Sequence, residues 1–203
     1  MLKAVLRFVA SVLIVSGLLM LSDAGATLLW QEPVSFLLAD RQQGQLEEAL
    51  ANPNQLKRLN AREPLPGDSI GKIVLPTLDR SLYMIEGTEL EDLRKGPGHY
   101  SDTPLPGERG TVAIAGHRTT YGAPFRRVDD LDRGDEVRVE MPYGRFIYRV
   151  EKTRIVDPTE LSVKKKVSYD RLVLTACHPL YSAAQRIVVF ARLVAREKMP
   201  TVS

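Results

Sequence analysis

Arg171-Leu172-Val173-Leu174-Thr175-Ala176-Cys177 is a short apolar run that ends on a thiol, and Arg186 opens the next such run, Ile187 to Val194. Two runs of this kind separated by a loop read as neighbouring strands. A residue ending one strand of a hairpin and a residue beginning the next can lie side by side at one rim, so a thiol and a guanidinium are expected as neighbours. Working outward, Thr111 to Ala115 is a third strong apolar strand that runs directly into Gly116-His117. Glu136 to Met141 and Arg145 to Val156 alternate as a hairpin closed at Pro142-Tyr143-Gly144, and Ile70 to Leu75 and Leu82 to Glu86 are further strands. Thr88-Glu89-Leu90-Glu91 has capping-box spacing, with a short helix ending at Lys95 before Gly96-Pro97, and Pro124 to Leu131 suggests a helical turn or two. About seven or eight short strands with short helices predict an all-β domain over 68–197, a closed or nearly closed antiparallel barrel. A sandwich is the alternative.

The chain has 203 residues, enough for one such domain plus appendages. Its hydrophobic fraction of 44% and charged fraction of 26% are those of a globular protein. The net charge of +3 is spread along the chain, and Arg126-Arg127 and Lys164-Lys165-Lys166 read as solvated surface. With aromatics at 6%, there is no base-stacking platform to pair with a basic face, which argues against nucleic-acid binding.

Lys3 and Arg7 precede an uncharged apolar run from Phe8 to Ser22. This is an export signal whose positive end stays in the cytoplasm. Ala24-Gly25-Ala26 offers a small-x-small cleavage site, but the run from Ala4 to Ala26 also reaches the ~20 residues of a spanning helix. Residues 1–30 are therefore read as a membrane anchor, with the bulk of the chain outside the cytoplasm. Residues 31–67, with a Leu-dotted polar stretch broken at Pro53 and a Pro-rich exit, read as an extracytoplasmic stalk, disordered or loosely helical. Residues 198–203 are a tail.

Export makes the cysteine count informative. Cys177 is the only cysteine, so no intrachain disulfide exists, and the thiol is either inert, paired with another chain, or reactive. Acyl transfer uses these residue types: a thiolate attacks, an imidazolium donates to a departing amine, and a guanidinium binds a carbonyl or oxyanion. His178 beside Cys177 invites a zinc reading, but such a site needs three or four ligands and only His99 remains in supply. His178 is read as a rim residue, His99 is given no role, and no metal or other cofactor is expected.

Val173-Leu174-Thr175-Ala176-Cys177 resembles the Thr-Leu-x-Thr-Cys signature of the sortases, and Arg186 falls where that family's essential arginine follows its cysteine. Gly110 to Arg118 looks like the family's strand-and-histidine motif. Glu86-Gly87-Thr88, Gly96-Pro97-Gly98-His99-Tyr100, Gly116 to Gly122 and Pro124-Phe125 resemble stretches of the class E sortases of high-GC Gram-positive bacteria. The likeness runs from about Ile70 to Val194. It departs at Val173 and Ala176, where the family pattern has threonine.

The resemblance implies a sortase-type barrel and a cysteine transpeptidase in which Cys177, His117 and Arg186 are catalytic. Its clients are exported proteins bearing a C-terminal Leu-Pro-x-Thr-Gly-like or Leu-Ala-x-Thr-Gly-like signal, cut at the Thr-Gly bond. The acceptor amine comes from a peptidoglycan precursor or a pilin. Class E likeness favours alanine at the signal's second position. Thr175, Ala176 and Tyr121 are expected to touch substrate. A cysteine hydrolase on the same site and a non-catalytic extracellular binding domain are the competing readings.

Overall fold

The computed structural model describes residues 2–30 and 33–198. Three helices come first: α1 (Leu2–Trp30), α2 (Pro33–Leu50) and α3 (Pro53–Ala61). The strands follow as β1 (Ser69–Leu75), β2 (Arg80–Glu86), β3 (Gly98–His99), β4 (Thr111–Ala115), β5 (Glu136–Met141), β6 (Gly144–Val156), β7 (Arg171–His178) and β8 (Gln185–Glu197), with the one-turn helix α4 (Leu90–Leu93) between β2 and β3. They close a barrel in the order β1-β2-β3-β4-β7-β8-β6-β5, with β5 pairing back to β1. The expected barrel is thus observed, and it is closed.

One expectation is corrected. The barrel is not antiparallel throughout: β2 pairs β3 in parallel, and β4 pairs β7 in parallel. Apolar alternation assigns a strand its faces but carries no direction. A parallel pair needs a long crossover, and here the β5–β6 hairpin and the 157–170 connection supply it between β4 and β7.

Period-two alternation sorts the side chains of this sheet cleanly. Val112 and Ile114 of β4, Leu172, Leu174 and Ala176 of β7, and Ile187, Val189 and Ala191 of β8 join the barrel interior with residues from β1, β2, β5 and β6. Ala113, Val173, Val188 and Phe190 face outward into a second apolar cluster, covered by Val163 of the 157–170 connection and by Tyr100. Arg171 ties that cover down, donating from Nη2 to the carbonyls of Val163 (3.0 Å) and Lys165 (2.9 Å). The continuous apolar texture of β7 follows from this: both of its faces are buried.

The stalk reading of residues 31–67 also gives way. Gln31 and Glu32 lie outside the described residues, but α2 and α3 pack on the barrel. Leu59 of α3 is fully buried, Leu46 of α2 nearly so, and Leu50 rests against the barrel core. Each buried leucine contributes about 1.5–3 kcal/mol relative to leaving it in water. Pro53 starts α3 where it was expected to break a helix: it holds the first helical position, and Asn52 caps it by accepting from the N–H of Asn54 (2.9 Å). Buried Gln55 donates to the Ser69 carbonyl, and Arg58 pairs with Asp68 at 2.8 Å.

On α2, Gln43 acts as a peptide-like clamp on the rim of β2. It accepts from Tyr83 N (2.7 Å) and donates to the carbonyls of Tyr83 (3.1 Å) and Lys95 (3.0 Å). In α1, the stretch Lys3–Ala26 spans 24 residues with a mean hydropathy of 2.3 and none of it buried. By length and composition it is able to cross a bilayer. Of the expected tail, residues 199–203 lie outside the described residues.

Smaller expectations fare unevenly. Strands β4 and β5 have the expected bounds. The capping box at Thr88 does not form: Glu89 holds the cap position of α4 and makes no side-chain cap bond. Within Pro124 to Leu131 the only helical element is a 3-10 turn over Val128–Asp130.

Candidate active site

Register builds the site. Parallel pairing matches Thr111 to Arg171 and continues in step to Ala115 and Thr175. Gly116 N donates to Thr175 O at 3.0 Å, extending the ladder by one bond. His117 and Cys177 therefore leave their strands at the same end of the barrel. On the other side of β7, antiparallel pairing sets Cys177 directly opposite Arg186 of β8. Alternation puts Cys177 on the outward face with Val173 and Thr175, and Arg186 on the same face as Val188 and Phe190. Three residue types suited to acyl transfer thus meet at one rim.

The thiol is half-buried and free. Arg186 turns its Nη1 onto the carbonyls of Ala183 and Gln185, both at 3.0 Å. That holds the guanidinium at the rim beside the loop that links β7 to β8.

His117 sits on a loop that must be propped. A Cβ on Gly116 would lie 2.6 Å from the Phe125 ring, so the histidine is carried past that fully buried ring on a residue without a side chain. Phe125 N donates back to His117 O at 3.0 Å. Between them, Tyr121, Gly122 and Ala123 have φ of 52°, 71° and 42°. Left-handed backbone at a non-glycine residue costs about 1–3 kcal/mol, and persists only where surroundings over-determine it. Here Arg80 donates to Gly122 O (3.1 Å), and Ala39 of α2 abuts Gly122, where a Cβ would lie 2.6 Å from it.

The Tyr121 ring lies 5.0 Å from the His117 ring, tilted by 48°. His117 Nε2 is buried and has no hydrogen-bond partner among the described residues. Burial, and secondly the charge of Arg94, hold the imidazole below its ordinary pKa.

The other expected residues divide. Thr175 lies on the outward face with Cys177, its hydroxyl 3.3 Å from that of Tyr100. Ala176 is corrected: it points into the barrel interior, 4% exposed, on the face away from the thiol. Adjacent strand residues face opposite ways, so Ala176 bears on packing and does not line a groove beside Cys177. His178 follows on Ala176's side, its Nδ1 3.3 Å from Nη1 of buried Arg118, which pairs with Asp129 at 2.6 Å. His99 is 1% exposed, bonded to Glu86 (2.8 Å) and the Pro104 carbonyl (3.0 Å), a structural residue of β3 itself.

A closed mixed barrel with Cys, His and Arg gathered at one rim defines a thiol enzyme of acyl-transfer type. Residues 73–194 match the Sortase domain family model, and the chain belongs to the sortase family, which places it among the cysteine transpeptidases. It is 34% identical over 145 residues to Sortase D of Bacillus subtilis (strain 168), covering 70% of this chain and 72% of that one. It is 27% identical over 207 residues to Sortase SrtE1 of Streptomyces coelicolor, of whose length it spans 57%. Among solved structures, a Clostridium perfringens Sortase D5 superposes with a TM-score of 0.66 at 25% identity, covering 77% of this chain and 98% of that one. Sortase E from Streptomyces avermitilis does so at 0.62 and 31%, covering 68% and 96%.

Proposed function

We propose that Cys177 is the nucleophile, His117 the general acid and Arg186 the carbonyl and oxyanion donor of a sorting reaction. In that reaction the Cys177 thiolate attacks the Thr carbonyl of a Thr-Gly bond. The resulting oxyanion is met by the guanidinium, whose planar fork suits a developing charge. The C–N bond then breaks and imidazolium His117 gives its proton to the departing Gly amine, leaving a thioester on Sγ. An incoming amine attacks that thioester, its proton passes to the imidazole, and the C–S bond breaks to release the Cys177 thiolate, which restores the starting pair.

The observation that carries the reading is the register: parallel β4–β7 and antiparallel β7–β8 deliver His117, Cys177 and Arg186 to one rim. Burial and Arg94 lower the His117 pKa, which makes its imidazolium a ready proton donor to the departing amine. Clients are exported proteins with a Leu-Ala-x-Thr-Gly-like or Leu-Pro-x-Thr-Gly-like signal, and the acceptor is an amine of a peptidoglycan precursor or a pilin. Tyr121 and Thr175 line the peptide's path. The apolar α1 keeps the enzyme on the membrane as a single-pass anchor, with the barrel outside.

Product analysis of a sorting peptide turned over with and without an added amine tests this. Transfer product dominating when the amine is present is the expected result. Hydrolysis product alone at every amine concentration supports a cysteine hydrolase instead.

A further inference from the structure

The His117 loop receives two arginines from outside itself. Arg80 binds a backbone carbonyl and has an evident structural use. Arg94, at the C-terminal end of α4, does something different. Its Nε donates to the Tyr121 hydroxyl at 3.2 Å, and its guanidinium carbon lies 5.5 Å from the centre of the same ring. Its Nη1 is fixed in turn by Glu91, one helical turn earlier, at 2.6 Å. The array thus runs Glu91, Arg94, Tyr121, His117, with the last two in ring contact at 5.0 Å.

We propose that Arg94 is a positioning residue for the transfer reaction, holding the Tyr121 ring against the His117 imidazole and aiming the Tyr121 hydroxyl. The inference rests on the role assigned to His117 above. Two physical consequences follow. First, Tyr121 occupies left-handed backbone at φ 52° beside two more positive-φ residues, so its ring has weak local reasons to stay where it is. A bond at the far end of the side chain fixes the ring at both ends. Second, a phenol that accepts from Arg94 keeps its own O–H proton to donate elsewhere. That proton is then available to a carbonyl of the bound peptide.

Arg94 is also a cation near a histidine that must become cationic to act as an acid. The other ionisable groups at this rim are Tyr121 and Arg118 from the histidine's own loop, Cys177 and His178 from β7, and Arg186 from β8. Glu91 is paired to Arg94, and Arg118 is paired to Asp129. After burial, the charge of Arg94 is what pushes the imidazole down.

The test uses the full chain in lipid nanodiscs with 13C-labelled histidine. The chain has three histidines, so each signal is assigned by one His→Gln variant. In Arg94→Ala the His117 pKa rises, because the nearby positive charge is gone, and its ring signals shift as Tyr121 moves. The kcat falls roughly tenfold with KM within about twofold. Arg94→Lys keeps the His117 pKa near the parent value because charge remains. Tyr121→Phe lowers kcat, and adding Arg94→Ala to it costs little more, since the two act as one unit. If Arg94→Ala leaves both the His117 pKa and its ring signals unchanged, the proposal is overturned. So is a loss in Arg94→Ala that simply adds to that of Tyr121→Phe. The titration needs no substrate, so it is read separately from the sorting reaction: turnover surviving in Cys177→Ala would remove the proposed function and leave the Arg94 contact standing.

Discussion

The strand that carries Cys177 and the loop that carries His117 begin as in-register neighbours, yet they are held in place by different physics. β7 lies between β4 and β8, hydrogen-bonded on both edges and buried on both faces. Its conformation is the one its β-branched and apolar residues prefer. The loop from Gly116 to Phe125 turns through three successive positive-φ residues. It is kept there by a ring below it, two arginines beside it and α2 against it. A nucleophile can be placed by regular sheet alone. A proton donor that must face the same point from a neighbouring strand needs a departure from regularity, and the departure is stabilised from elsewhere in the chain.

That contrast can be broken on the sheet side first. Arg186→Lys keeps charge and register but loses the planar fork, and kcat is expected to fall about 100-fold or more with the melting temperature unchanged. Near-parental kcat in this variant, measured at saturating peptide, means charge alone suffices. On the loop side, Gly116→Ala forces a Cβ toward the Phe125 ring, where it would lie 2.6 Å away. A loss of about 1–3 kcal/mol of stability is expected from such overpacking. A roughly tenfold loss of kcat should accompany it as the histidine shifts. Denaturant melts and kinetics together check both numbers, and an unaffected kcat would show that the histidine tolerates a moved loop.

The pH profile sharpens the comparison further. With thiolate and imidazolium both required, kcat/KM against pH is bell-shaped. Burial and Arg94 lower the His117 pKa, so the acid limb lies below the ordinary imidazole value of about 6.5. The alkaline limb follows loss of the second proton of the pair. The same shift has a stability sign. The unfolded chain takes up the histidine proton first as pH falls, so stability drops as pH falls below about 6.5 toward the folded value, and is regained above it. A rate that climbs with pH and never falls removes His117 as the acid. The smallest effect is in specificity: a preference of a few-fold for alanine over proline at the second signal position. Alanine keeps an N–H that a groove can bond, and proline has none. Competition between peptides differing only there, scored by acyl-enzyme, decides it, and a proline preference overturns the class E likeness alone.

Much of this was legible in the chain. The thiol, the histidine and the arginine each sit where an apolar run stops or starts, and strands β4 and β5 have the bounds their alternation implies. Strand direction was not legible, because alternation is the same whichever way a strand runs. The inward face of Ala176 was legible, since the period of two places it opposite Cys177, and the expectation that it touches substrate ran against that period. The helices α2 and α3 read as a stalk because their buried residues, Leu46, Gln55 and Leu59, are few and widely spaced. Arg80 and Arg94 carried no signal at all, since their use depends on a loop distant in sequence.

The residue on which the acyl group lands is the most direct test of Cys177 as nucleophile. Full-length enzyme incubated with a Leu-Ala-x-Thr-Gly peptide and quenched in acid should give, by peptide-mapping mass spectrometry, one adduct ending at the peptide's threonine and located on Cys177. The Cys177→Ala variant should give neither adduct nor cleavage while melting at the parental temperature. An adduct mapped to any other residue, or turnover that persists in Cys177→Ala, would contradict the account.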